Sequence, residues 1–372
     1  MSKRTQYPDY ATEAPKRKKK KGGLLGRIVR RFFLVLFTLV ILLVVALALA
    51  ANLVFNGPSE AARDLLTMTL TEPSATKWIP GLFMDEATLA AIRTGSKEEN
   101  TSTDVVSDTS QVVINKDTAV SADEWANYPN GVRVETYSGS SFNAYIMIIR
   151  DPGKVYLATS TEKFSTSISG TRIDDQIVTE GAIAGINAGA FFDDGTSNPA
   201  VGTIPEGLVV SRGEVKWTTG QPNGVSGFAG FTEDDILVVA KENLTKDQAA
   251  ELNIRDGCCF GPPLIINGEV NDAAYNSASG LNPRTAVGQR SDGAVIFVCA
   301  DGRQPGSMGA TYRDITDIMI EYGAVNACNM DGGSSTIMVT RDPADNQVQI
   351  INSYSLLQER PRKMPTFWMV AP

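Results

Sequence analysis

Residues 282–338 read NPRTAVGQRSDGAVIFVCADGRQPGSMGATYRDITDIMIEYGAVNACNMDGGSSTIM, and the prediction of the fold starts from this stretch. Two short apolar runs, Thr285–Gln289 and Ala294–Ala300, predict β-strands. The connection between them, Arg290-Ser291-Asp292-Gly293, is typical of a tight turn between antiparallel strands. This half of the stretch therefore predicts a β-hairpin.

The second half predicts a helix followed by a strand. Thr311–Tyr322 carries apolar residues on one helical face, and Thr311 with Asp314 forms a capping-box pattern at its start. Gly323 is the kind of residue that ends a helix, because glycine adopts the left-handed conformation without steric cost. Ala324–Met330 is then the next predicted strand. The whole stretch contains a strand–helix–strand unit.

This order brings charged residues to one edge of the predicted sheet. In an antiparallel hairpin, Asn282-Pro283-Arg284 lies beside Asp301-Gly302-Arg303. The helical crossover makes Ala324–Met330 parallel to Ala294–Ala300, so Asp331 leaves the sheet at that same edge. Open α/β sheets tend to bind ligands at the carboxyl ends of their strands. We therefore expect two carboxylates and two guanidinium groups to form a site there.

The wider chain predicts an α+β fold: a mixed β-sheet domain over residues 130–372, preceded by one transmembrane helix and a helical stem. The first strands of the domain are expected at Val132–Tyr137, Asn143–Ile149 and Lys154–Thr159. Residues 56–129 are predicted to form the stem and a spacer rich in Ser and Thr, with one short strand at 112–114.

The N-terminal part predicts a membrane anchor. Residues 1–31 form a basic tail with eleven Lys or Arg against two carboxylates, which leaves 23 basic and 40 acidic residues in the rest of the chain. Residues 32–55 are uncharged and almost wholly apolar, longer than the roughly 20 residues that span a bilayer. The positive-inside rule places the tail in the cytoplasm and the acidic body outside. A signal peptide cleaved near Ala46-Leu47-Ala48 is the alternative.

Composition excludes several classes of protein. The chain has no histidine, so a Ser-His-Asp triad, a Cys-His pair and a His-ligated metal site are ruled out. The four cysteines lack zinc-site spacing, although an export compartment makes a disulfide conceivable. The acidic body argues against nucleic acid as a partner. Proton transfer in an enzyme built from this chain would rely on Asp, Glu, Tyr, Lys or Cys.

Several motifs, in order, resemble one family. They are Ile186–Phe192, Pro205–Leu208, Phe260–Leu264, Asn282–Gly288, Asp301–Arg303 and Asn329–Ser335. At these residues the chain is similar to the phosphodiester glycosidase domain family, the NAGPA or "uncovering enzyme" type. The chain departs from the family's usual glycines at Ala188 and Ser334.

The resemblance implies a hydrolase that removes a sugar from a sugar-1-phosphate diester. For an outward-facing, membrane-anchored protein, a phosphorylated cell-envelope polymer or exopolysaccharide is the expected substrate. The alternative is a non-catalytic glycan-binding or polymer-assembly protein that uses the same cleft. A divalent cation, Ca²⁺ or Mg²⁺, bridging Asp301, Asp331 and phosphate is a further expectation, since both ions prefer oxygen ligands.

Roles for the charged residues follow from this chemistry. Asp301 and Asp331 are expected to divide nucleophilic or electrostatic work from acid/base work, with their order open, and Glu206 is a third acid/base candidate. Arg284 and Arg303 would hold two phosphate oxygens. The competing interpretation is that Arg284–Asp331 and Arg303–Asp301 are structural ion pairs.

Other residues complete the predicted substrate-binding set. Asn187 is a candidate ligand for a sugar hydroxyl or phosphate, with the capping of a turn as its alternative role. Backbone N–H groups around Gly332 and Gly333 can bind phosphate oxygens. The family motifs add Thr285 and Ser334 to the set.

Overall fold

The chain combines a few helices with many short strands in the part that the computed structural model describes, residues 24–73, 76–95, 106–114, 125–192, 202–219, 227–354 and 360–372. The helices are α1 Leu24–Phe55, α2 Glu60–Thr71, α3 Glu86–Gly95, α4 Ile173–Glu180, α5 Lys246–Glu251, α6 Asp272–Tyr275 and α7 Tyr312–Glu321. The strands are β1 Val132–Ser138, β2 Asn143–Ile149, β3 Val155–Thr159, β4 Ala184–Asn187, β5 Leu208–Ser211, β6 Glu214–Thr218, β7 Phe228–Thr232, β8 Leu237–Ala240, β9 Ile254–Cys259, β10 Pro263–Ile266, β11 Glu269–Val270, β12 Arg284–Arg290, β13 Val295–Ala300, β14 Ala324–Met330, β15 Met338–Arg341, β16 Val348–Ile350 and β17 Thr366–Val370.

These strands form three sheets whose hydrogen-bonded neighbours are antiparallel. The largest has seven strands in the order β1-β2-β13-β12-β14-β10-β11. Two five-stranded sheets have the orders β16-β15-β4-β17-β3 and β6-β5-β9-β7-β8. Helices and sheets of this kind confirm the predicted α+β class.

Strand β13, inside the seven-stranded sheet, is buried on both faces. Val295, Phe297 and Cys299 point into the core that all three sheets share. The alternate residues of β13 pack instead with α7, which covers the opposite face. Because both faces of β13 are covered, this strand is an unbroken apolar run, VIFVCA.

Strand β12 lies between β13 and β14 and is antiparallel to both. Strands β13 and β14 therefore run in the same direction, as the strand–helix–strand pattern predicted. They are not hydrogen-bonded to each other, because β12 lies between them. Helix α7 connects them. Its N-cap is Thr311, which forms the predicted capping box with Asp314, and Gly323 follows the last turn with φ of +81°.

The chain divides into two compact units, Met1–Val54 and Phe55–Pro372. In the first unit, α1 is long and apolar enough over Gly26–Phe55 to cross a membrane, by length and composition alone. The second unit contains all the strands and also the predicted stem. The basic tail, residues 1–23, lies outside the described residues.

The stem packs directly on the sheet domain. Helix α2 has Ser59 as its N-cap, and the hydroxyl of Thr69 near its other end accepts a hydrogen bond from the Leu281 N–H at 3.0 Å. A Cβ atom on Gly280 would lie 2.5 Å from the Thr69 nitrogen, so glycine permits this close approach.

The described part of the predicted spacer, residues 106–114, also contacts the sheet domain. Its expected strand at 112–114 is absent from that segment, which has a short 3₁₀ turn at Thr109–Gln111 instead. In this segment, Val106 forms an isolated β-bridge with Ala240. Further along the segment, Val112 is buried and the Val113 N–H donates to the Ser291 carbonyl, so the segment is held on the domain without a strand of its own.

Candidate active site at the edge of the seven-stranded sheet

The register of the sheet brings three predicted site segments together. Arg284 pairs with Ala300, and Thr285 pairs with Cys299 on one side and Met330 on the other. Asp301 and Asp331, which directly follow these strands, therefore leave the sheet at the same edge. The three segments thus meet at one edge of the sheet, as the strand directions predicted.

A hollow that opens to solvent lies at this edge. Its cavity volume is about 70 Å³. Its lining residues come from four loops and are Pro283, Gly302, Arg303, Gly333, Ser334, Thr336, Ser353 and Tyr354. A space of this size, lined by hydroxyls, backbone and one guanidinium, suits a small polar group better than an apolar ligand.

Asp301 lies beside this hollow and is buried, with 3% of its surface exposed. Its Oδ1 accepts hydrogen bonds from the Ser353 N–H at 3.0 Å and from Asn352 Nδ2 at 3.3 Å. Burial raises the pKa of Asp301 to about 6, and the hydrogen bonds from Asn352 and Ser353 only partly oppose this shift. The carboxyl group can therefore carry a proton near neutral pH.

Asp331 is half-buried, and its backbone is held from both sides. Its N–H donates to the Ala188 carbonyl, and its own carbonyl accepts from Asn187 Nδ2. Asn187 is fully buried, and its Oδ1 accepts from the Thr285 hydroxyl at 2.8 Å and from the Ile337 N–H at 3.1 Å. These bonds use both polar atoms of the Asn187 side chain, so Asn187 and Thr285 position the Asp331 loop from within the core and do not face a ligand.

The two predicted phosphate-binding arginines have different surroundings. Arg303 is exposed and lines the hollow, with its Nε and Nη2 donating to Asn282 Oδ1 at 3.1 and 2.7 Å. Arg284 is 5% exposed and donates to Glu72 Oε1 at 3.0 Å and to the carbonyls of Gly280 and Ala310. Of the predicted pair, only Arg303 presents its guanidinium to the hollow.

Arg284 instead joins the stem to the sheet. Its guanidinium carbon lies 4.3 Å from the centre of the Tyr312 ring, and its ion-pair partner is Glu72, at the end of α2. The ion pair of Arg284 is thus with Glu72, and the Arg303 guanidinium donates to Asn282 Oδ1. Glu72 was not predicted as the partner of Arg284, because the two residues are 212 positions apart in the chain.

The turn after Asp331 brings Gly333 against Arg303. Gly333 has φ of +59°, and a Cβ atom there would lie 3.1 Å from Arg303 Nη1. The Gly333 N–H already donates to the Pro283 carbonyl at 2.8 Å. It is therefore not available to a phosphate, in contrast to the expectation for this turn. Gly332 packs on the same carbonyl, where a Cβ atom would lie 2.8 Å from the Pro283 oxygen.

Glu206, the third predicted carboxylate, is half-buried and is not among the residues that line the hollow. Its N–H donates to the Ala190 carbonyl. Ala190 lies two residues after Ala188, whose carbonyl accepts from the Asp331 N–H. Burial raises the pKa of Glu206. Among the described residues, no group of three or more Cys, Asp or Glu side chains is arranged to hold a metal ion. The predicted cation would therefore need substrate oxygens among its ligands.

Several residues at the site were not predicted. Asn352 and Ser353 hold Asp301, while Tyr354 and Thr336 line the hollow. Thr336 Oγ1 is buried without a hydrogen-bond partner among the described residues. Arg362, in the basic run Arg360-Pro361-Arg362-Lys363, donates to Ser334 Oγ at 3.0 Å. That run was the one sequence signal that could have drawn attention to Arg362.

Comparison with known proteins shows which family the region around this site matches. The family model described as phosphodiester glycosidase matches residues 180–371. The catalytic domain of zebrafish N-acetylglucosamine-1-phosphodiester alpha-N-acetylglucosaminidase, auto-inhibited by its pro-peptide, superposes with a TM-score of 0.51 at 18% identity. This superposition covers 66% of the present chain and 85% of the zebrafish domain. At that identity the similarity shows the fold alone.

Two further similar proteins are named only as hypothetical or uncharacterized. A hypothetical protein from Synechocystis superposes with a TM-score of 0.41 at 16% identity, over 64% of this chain and 61% of its own. The SPbeta prophage-derived uncharacterized protein YomE of Bacillus subtilis is 29% identical over 116 residues. That match covers 30% of this chain and 18% of YomE, so the chain spans under a fifth of the length of this relative.

Proposed function

Because the chain belongs to the phosphodiester glycosidase family, whose model matches residues 180–371, we propose that it hydrolyses the bond between sugar and phosphate in a glycosyl phosphodiester. The observation that carries this proposal is that Arg303 lines the hollow while the buried Asp301 directly precedes Gly302 and is bonded by the Ser353 N–H, two residues that also line it. A buried carboxyl group beside an exposed guanidinium suits an anionic ester whose bridging oxygen must leave the sugar.

In the proposed reaction, Arg303 binds a non-bridging phosphate oxygen and neutralises the charge that develops on the leaving phosphate. Asp301, with its pKa of about 6, donates a proton to the departing oxygen. Water adds to the anomeric carbon as the carbon–oxygen bond breaks, and Asp331 takes the water's proton while its negative charge stabilises the oxocarbenium-like centre. The products are a free sugar and a phosphate monoester.

The substrate is proposed to be a phosphorylated glycan outside the cytoplasm. Support comes from α1, which is long enough to span a membrane, and from the basic residues that precede it. In this arrangement the domain faces a cell-envelope polymer or exopolysaccharide. If a divalent cation, Ca²⁺ or Mg²⁺, also binds, Asp301 and Asp331 would hold it and it would help to neutralise the phosphate; Asp301 would then stay ionised and would not act as the acid.

The test uses the full chain, purified in detergent, with a panel of glycosyl phosphodiesters and with or without chelator. We expect free sugar to be released by the wild type, and the release to be lost in Asp301→Asn. Asp234→Asn is the matched control, because Asp234 is exposed on the turn between β7 and β8. Glycan binding without turnover by the wild type would instead support a binding or polymer-assembly protein.

A further inference from the structure

Arg362 is a guanidinium that the proposed mechanism does not use, although it touches the turn that lines the hollow. Its Nη1 donates to Ser334 Oγ at 3.0 Å and lies 3.4 Å from Ser335 Oγ. The guanidinium carbon lies over the Phe191 ring, 4.8 Å from the centre. Phe191 is itself fixed by a β-bridge to Pro205. The Phe191 ring and the two serine hydroxyls thus hold the Arg362 guanidinium against the turn formed by residues 333–335.

Ser334 can transmit this charge into the hollow. It is one of the lining residues, and its oxygen already accepts a hydrogen bond from Arg362. A serine hydroxyl has one proton to donate, and no acceptor takes it among the residues that the structure describes. A hydroxyl that is polarised by a guanidinium is a strong donor to an anionic oxygen.

The other side of the same turn carries the second cation. Arg303 lies against Gly333, so the turn has one guanidinium on each side. A further donor nearby has no partner in the described structure: Thr336, 2% exposed, lines the hollow and has an unbonded Oγ1. Buried polar groups are normally hydrogen-bonded, so an unpartnered hydroxyl in the wall of a hollow points to a ligand.

We propose that Arg362, acting through the hydroxyl of Ser334, forms the anion-binding wall of the hollow together with Arg303. The ligand class is a phosphate or phosphate ester, which receives one hydrogen bond from each side. Arg362 is a positioning residue that orients and polarises Ser334. The identity of this anion as the phosphate of the substrate rests on the proposed function, whereas the anion site itself does not.

The experiment is calorimetric titration of the full-length protein in detergent with inorganic phosphate. We expect the wild type to bind with a Kd of about 1 mM or tighter, and Arg362→Gln to weaken binding about tenfold or more. Ser334→Ala should weaken it in the same direction, and Arg362→Lys should recover part of the loss, because lysine keeps the charge. Arg360→Gln is the matched control: Arg360 pairs with Asp174 and Asp175 and should leave phosphate affinity unchanged.

Turnover separates this inference from the proposed function. With a glycosyl phosphodiester, Arg362→Gln should raise KM more than it lowers kcat. The inference is overturned if Arg362→Gln binds phosphate like the wild type, or if the wild type binds none. If Arg362→Gln fails to fold, Ser334→Ala decides by the same criterion. Phosphate binding that depends on Arg362, without turnover of any diester, would support the anion site and refute the proposed function.

Discussion

Replacing Glu72 with alanine should destabilise the domain, although Glu72 lies in the stem, far from the sheet in sequence. Its carboxylate pairs with Arg284, whose side chain is 6% exposed. Without Glu72, that guanidinium would keep the carbonyls of Gly280 and Ala310 as acceptors but would lose its counter-charge. A buried cation without a nearby anion opposes folding.

The expected size of the effect follows from this geometry. Removing one partner of a fully buried ion pair costs about 3–5 kcal/mol. The Glu72 side chain is 29% exposed, so water already screens the pair, and we expect a loss of about 2 kcal/mol. For a unit the size of Phe55–Pro372, that corresponds to a melting temperature lower by about 3 °C.

The assay is urea unfolding and thermal melting of the full chain in detergent, followed by near-ultraviolet circular dichroism. Glu86→Ala is the matched control. Glu86 also pairs with an arginine, Arg93, but its side chain is 80% exposed. We expect that control to change the free energy of unfolding by less than about 0.5 kcal/mol.

Equal stability of Glu72→Ala and Glu86→Ala would refute this reasoning. It would mean that the contact between Glu72 and Arg284 does not contribute to the folded state in solution. A truncated chain that starts at residue 130 provides a second test. It lacks the whole stem, so it should be at least as unstable as Glu72→Ala.

Asp301→Asn should abolish turnover and yet raise the stability of the folded protein at pH 8. The folded-state pKa of Asp301, about 6, lies above the ordinary value, so ionisation of this carboxyl group opposes folding as the pH rises from about 4 to 6. Above that range the loss of stability in the wild type reaches about 3 kcal/mol, and asparagine avoids it because it stays neutral. Melting curves of both proteins at pH 4 and pH 8 check this, and an equal difference at the two pH values would contradict it. Asn187→Ala should lower the free energy of unfolding by about 3 kcal/mol in urea, because two buried partners, the Thr285 hydroxyl and the Ile337 N–H, and the Asp331 carbonyl lose their bonds; a loss below about 1 kcal/mol would argue against that role. Gly333→Ala should lower kcat/KM by crowding Arg303, whereas Gly213→Ala, which has a similar φ of +78° and no neighbour within 4 Å, should lose only about 1 kcal/mol of stability; equal activities of the two variants would exclude the crowding.

The parts of the fold that the sequence predicted are those specified by local patterns. β14 has the predicted bounds, and α7 begins and ends within one residue of its prediction, because capping and periodicity act over a few residues. The placement of β12 between β13 and β14 was not predicted, since strand order depends on pairings between distant segments.

The candidate site divides in the same way. The sequence placed Asp301, Arg303 and Asp331 at one edge, because each directly follows a strand whose direction could be inferred. It did not predict that Arg284 is covered by Glu72 or that Arg362 contacts Ser334. Those contacts join segments without a shared motif, and only the packed structure brings them together.

The most direct test of the central claim is to run the reaction in heavy-oxygen water and locate the label by mass spectrometry. The proposed mechanism breaks the bond between the anomeric carbon and the bridging oxygen, so the label should appear in the released sugar and not in the phosphate monoester. Label in the phosphate would show attack at phosphorus and would contradict the assignment of a glycosidase. Loss of sugar labelling in Asp301→Asn would connect that chemistry to the hollow.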